Sequence, residues 1–234
     1  MVHGGRYGRR VTSDRVPLEP GESPALIARP TWRGHLHRYA SVAFLPAFVV
    51  LVVGADSATI RLAMAIYGVG VLTMLAVSAV YHSGWLGPTG TARLKRLDHA
   101  TILLAVAGSY TGICSLALNG TPEVVMLTFV WTAAAVGTVI RMCWLHAPRW
   151  LTVAVYLVVG WSALVEIGPL MHSLGAGDTA LLLTGGGLYS LDAVVYATKR
   201  PNPSPAHFGF HEVFHLLVVG AAVAHYVLVM RLVG

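Results

Sequence analysis

Seven stretches of this chain are almost free of charge: roughly residues 39–55, 59–81, 100–118, 122–142, 150–171, 179–197 and 212–232. Each is close to the ~20 residues that carry a helix across the hydrocarbon of a bilayer. In that medium every backbone N–H and C=O must be satisfied within the segment, so runs of this length fold as helices. The whole sequence is 11% charged, against about 25% for soluble domains. The connections are short, and nothing reads as a second soluble unit. The expectation is an all-α membrane protein, a seven-helix transmembrane bundle over residues 39–234.

Residues 1–38 are of another kind. They hold seven arginines (Arg6, Arg9, Arg10, Arg15, Arg29, Arg33 and Arg38) with scattered Pro and Gly. A signal peptide or twin-arginine signal needs an apolar stretch behind its basic start, and "GRRVTSDRVPLEPGESPA" has none. The segment reads as a flexible basic cytoplasmic tail. It closes on "PTWRGHLHRY", an interfacial segment with Trp32 and Tyr39 at headgroup depth and its arginines snorkelling.

Basic residues set the orientation. The tail, the second loop (Arg93, Lys95, Arg96), the fourth (Arg141, Arg149) and the sixth (Lys199, Arg200) carry fourteen, and the other side has Arg61 and Arg231. By the positive-inside rule the N-terminus is cytoplasmic and, after seven crossings, the C-terminus outside, in the plasma (inner) membrane. The net charge of +6 then reports topology and contact with anionic inner-leaflet lipid, with no role in nucleic-acid binding. Cys114 and Cys143 fall about 30 Å apart, too far for a disulfide. "NGT" at Asn119 reads as an interhelical turn.

This orientation brings distant residues to one depth. The second helix ends at "SAVYHSG", the third begins at "RLDHATILL", and the seventh begins at "HEVFH". Ser78, His82, Asp98, His211 and His215 therefore meet at the cytoplasmic end of the bundle. Ionisable groups near hydrocarbon are costly and face the bundle interior, so convergence at one level marks a site. His211 and His215 share a helix face at i and i+4, as do Ser78 and His82. Three histidine nitrogens with a fourth position open form a catalytic zinc arrangement. Zinc can bring the pKa of water down to about 7. Asp98 fits as general base or orienting acceptor, and Ser78 as a hydrogen-bond donor at the site.

"HEVFH" also matches HExxH, the metalloprotease signature. An intramembrane protease of that kind takes a later aspartate as third ligand, and no acidic residue follows Glu212 here. A third ligand must come from upstream, so Glu212 is better placed as an interfacial residue beside a ligand. The protease reading ranks below the others.

Ser-x-x-x-His on helix two, Asp at the start of helix three and His-x-x-x-His on helix seven together resemble the hemolysin III family. So do "PTWRGHLHR", "LDHATILLAVAGSYTG" and "FGFHEVFHLLVVG". That family is grouped with progestin/adipoQ receptors and alkaline ceramidases, and the resemblance spans about residues 29–232. It implies zinc on His82, His211 and His215, with Asp98 on the bound water and Ser78 nearby. Two positions depart from the pattern: Gly112 replaces an expected Pro, and Asp192 an expected small residue. Asp192 would either hydrogen-bond into the metal site or pair with a histidine there, or else be satisfied by a neighbouring hydroxyl.

Other polar groups in the apolar spans receive bland readings. His99 is an interface residue, and His225 lies about 15 Å beyond His215, a packing residue out of reach of the same metal. Glu166 has no evident partner, and "TGGGLYS" permits close helix packing. Two functions remain open. One is a zinc-dependent hydrolase of a membrane lipid amide or ester, ceramidase-like by resemblance. The other is a non-enzymatic membrane protein, with a cytolytic, receptor-like or homeostatic role, in which zinc clamps the helices. Oligomeric state is not legible.

Overall fold

The computed structural model describes residues 30–84, 87–144 and 148–234; the tail expected over 1–29 lies outside them. Seven helical spans are long and apolar enough to cross a membrane. They comprise α1 (His35–Gly54), α2 (Ala58–Tyr81), α3 (Pro88–Ala117), α4 (Thr121–Cys143), a broken span of α5 (Arg149–Gly160) and α6 (Ile167–Ser173), α7 (Ala176–Thr198) and α8 (Phe210–Val233). No strand occurs among the described residues. The multi-pass membrane fold read from the apolar runs is the one observed.

α3 is the most enclosed span, packed against α2, α4, α5 and α8. Its closest approach is to α2 and depends on glycine. A Cβ on Gly70 would come within 2.9 Å of the Leu104 carbonyl oxygen, and one on Gly108 within 3.0 Å of the Ile66 oxygen. Without a hydrophobic drive between helices in lipid, such close backbone packing is a main source of cohesion. Away from the histidines the core is apolar, with Phe48, Leu51, Met64, Tyr67 and Leu228 buried together.

Three local features depart from the apolar pattern. α3 starts at Pro88, so Arg93, Lys95 and Arg96 ride on its first turns instead of in a loop. Arg141 likewise belongs to the last turn of α4, buried, with Nη1 donating to Thr152 Oγ1 on α5 at 3.0 Å. The fifth span breaks into a 3₁₀ segment over Ser162–Glu166. There the Tyr110 hydroxyl of α3 donates to the Gly160 carbonyl at 2.6 Å and accepts from Ala163 N–H at 2.8 Å. One side chain thus satisfies backbone groups that a broken helix would leave bare in hydrocarbon.

The entry to α1 is folded onto the bundle. Thr31 and Trp32 donate their N–H groups to the carbonyls of Ala206 and His207, at 3.1 and 3.2 Å, in the loop before α8. Trp32 and Tyr39 are exposed, as an interfacial reading requires. Arg33 turns inward instead, and this bears directly on the site.

Candidate metal centre

Four helices bring their polar residues to one end of the bundle. α2 ends at Tyr81, and His82 caps it with its N–H on the Ser78 carbonyl at 2.9 Å. α8 begins at Phe210, so His211 and His215 occupy its first two turns on one face. The ligand nitrogens of His82, His211 and His215 all lie within 4.8 Å of one another, and His82 Nε2 is 3.0 Å from His211 Nε2. Neighbouring nitrogens on one tetrahedral zinc stand about 3.3 Å apart for bonds of about 2.0–2.1 Å. Three imidazoles, two of them buried, at this spacing fit zinc by donor type and by geometry.

Asp98 lies about 15 Å along α3 from Pro88, not at the helix start expected from the sequence. The Ser78 hydroxyl, one turn before His82, hydrogen-bonds its carboxylate. His99 turns back on its own helix, with Nδ1 2.6 Å from the Lys95 carbonyl oxygen. The Tyr156 hydroxyl of α5 donates to the His99 carbonyl at 2.9 Å and fastens α5 beside the site.

The two residues that sequence reasoning missed both lie in the expected interfacial segment. His37 is buried, and its ring stacks on that of His215, 3.8 Å between centroids and 10° from parallel. Both His37 ring nitrogens are buried with no hydrogen-bond partner among the described residues. Arg33 does not snorkel: its Nε sits 2.5 Å from Glu212 Oε1, with the Glu212 side chain 1% exposed. The other Glu212 oxygen accepts from Gly209 N–H at 2.8 Å, closing the N-terminus of α8. The glutamate of "HEVFH" is a buried structural group, where an interfacial one was expected. One signal was available for His37: a histidine within the first turn of a membrane helix is expensive unless it serves a site.

Gly34 makes this convergence possible. Its φ of +80° lies in the left-handed region, and a Cβ there would come within 2.7 Å of His82 Cβ. Only glycine combines that backbone with that approach. The start of α1 thereby packs against the end of α2.

The histidines open on a cavity of about 390 Å³, within the range of small-molecule sites. It runs from Arg33 and the histidines past Asp98 and Tyr156 to Tyr189, Asp192 and His225, with mostly apolar walls. His225 lies outside the histidine cluster, and its Nε2 is 3.4 Å from the Leu182 carbonyl oxygen. The glycine run packs closely at one position only: Gly185 faces the His225 ring, while Gly186 and Gly187 have open space. Cys114 and Cys143 are both free, as expected.

The family model described as haemolysin-III related matches residues 26–226. The chain belongs to that family. It is 32% identical over 189 residues to the hemolysin-3 homolog of Bacillus subtilis, covering 80% of this chain and 85% of that one. Hemolysin-3 of Bacillus cereus is 28% identical over 189 residues, with 80% and 83% covered. The human monocyte to macrophage differentiation factor is 26% identical over 169 residues, with 69% and 66% covered. The family membership expected from the sequence is thus borne out over residues 26–226.

Proposed function

We propose that this haemolysin-III relative is a zinc-dependent hydrolase of a lipid amide or ester. The observation that carries the reading is the shared cavity: three zinc-competent histidines and the Ser78-bound Asp98 open on one space with apolar walls. Zinc held by His82, His211 and His215 would supply Lewis acidity toward water and toward a carbonyl. Asp98 takes the proton that water loses as its oxygen adds to the carbonyl carbon. The same proton passes to the leaving nitrogen or oxygen as the C–N or C–O bond breaks. Ser78 holds the Asp98 carboxylate in one orientation, and the apolar wall receives the chain of an amphipathic substrate.

The reading sets the chain in the plasma membrane with the histidine end cytoplasmic, beside anionic inner-leaflet lipid; the basic residues concentrated at that end support it. It also disfavours the protease alternative, because both Glu212 oxygens are committed to Arg33 and Gly209. One observation favours a non-enzymatic second reading. The ligands come from two helices, α2 and α8, which zinc would clamp in a cytolytic, receptor-like or homeostatic protein.

Purified zinc-loaded protein, assayed against short-chain fluorogenic lipid amides and esters, separates the two. The hydrolase reading expects turnover that falls about 10²–10⁴-fold in Asp98→Asn while zinc is retained. No turnover of any substrate, or an unchanged rate in Asp98→Asn, refutes it and leaves the clamp.

A further inference from the structure

Two carboxylates line the cavity, and they are held differently. Asp98 has the Ser78 hydroxyl. Asp192, on α7, is 7% exposed and faces the cavity with no hydrogen bond or ion pair to any described residue. Neither outcome expected for it occurs: it does not join the histidine cluster, and no neighbouring hydroxyl bonds it. The two cations that line the cavity do not meet it either. Arg33 is bound to Glu212, and Lys95 stands exposed on the first turns of α3 with no ion pair to it.

A carboxylate taken from water into a low-dielectric wall is costly unless a cation or a set of donors meets it. Among the described residues nothing does. The space beside it is large enough for a ligand group, and two of its neighbours along α7, Tyr189 and Tyr196, also line that space. Aromatic faces beside a carboxylate suit an organic ammonium, which gains from both. The remaining cavity wall is mostly apolar and suits an alkyl chain.

We propose that Asp192 is the anchor of a cation-selective subsite, and that the cavity binds amphiphiles carrying a protonated amine in preference to neutral or anionic ones of equal chain length. The subsite stands on the cavity and the unmatched carboxylate, and binding is read without turnover, so it does not depend on the hydrolase reading.

Octylamine, an ammonium at pH 7, and octanol give a matched pair of probes; each is titrated by calorimetry into the full-length protein in nanodiscs. The wild type should bind octylamine at least tenfold more tightly than octanol. Asp192→Asn should bring the two within about twofold, while Asp192→Glu, which keeps the charge, should retain most of the preference. A wild type without preference overturns the proposal, whatever becomes of the variants. So does a preference that survives in Asp192→Asn, or one lost in Asp98→Asn but kept in Asp192→Asn, which assigns the cation to the other carboxylate.

Discussion

The two ends of α8 solve opposite problems. At its start, His211, Glu212 and His215 are matched by side chains from segments far away in sequence: His82 beside the two histidines, His37 stacked on His215, Arg33 on Glu212. At its far end Leu228 and Val229 are buried with Leu51 and Met64 in an apolar core. The far-end core is defined by volume and shape, and other apolar side chains of similar size can satisfy it. The first end is defined by charge and donor type, where removing one partner leaves the other buried and unmatched. Cohesion and chemistry are thus separated along one helix.

That contrast can be broken in order of expected effect. Arg33→Ala strands the buried Glu212 carboxylate and should lower stability by about 3–5 kcal/mol, as loss of one partner of a buried pair does. Reversible unfolding in mixed micelles reads this; a loss under 1 kcal/mol means that water already reaches Glu212. Leu51→Ala, at the opposite end, should cost about 2–4 kcal/mol and leave zinc content unchanged, because Leu51 is fully buried and remote from the histidines. Zinc loss there would show that the two ends are coupled.

Smaller effects sharpen the comparison. His37→Ala should weaken zinc binding about tenfold, in the range seen for residues that orient metal ligands, and His37→Phe should restore it by keeping a ring against His215. Competition with a chelator of known affinity measures both; equal affinities in all three proteins would remove His37 from the site. Gly112→Ala places a Cβ about 3.1 Å from the Tyr67 ring. It should cost about 1 kcal/mol, with no effect on zinc. A neutral result means the ring yields.

Much of this was legible in the sequence because the bilayer imposes it. Six of the seven spans lie within four residues of their apolar runs, and the basic residues brought Ser78, His82, Asp98, His211 and His215 to one end. The start of α3 was missed because hydropathy reads "ARLKRL" as a loop, although its residues are good helix formers. The break in the fifth span left no trace in composition. It depends on the Tyr110 hydroxyl, fifty positions from the Gly160 carbonyl it meets. His37 and Arg33 were hidden for a related reason. A Trp–Arg–His segment has the composition of a membrane interface whether its side chains point to headgroups or, as here, into the bundle.

The central claim is that His82, His211 and His215 hold one zinc, and metal content tests it most directly. Elemental mass spectrometry of the detergent-purified wild type, beside His211→Ala, should find about one zinc per chain in the first and little in the second. A wild type that stays metal-free after zinc is supplied, or a variant that keeps its zinc, would contradict the account.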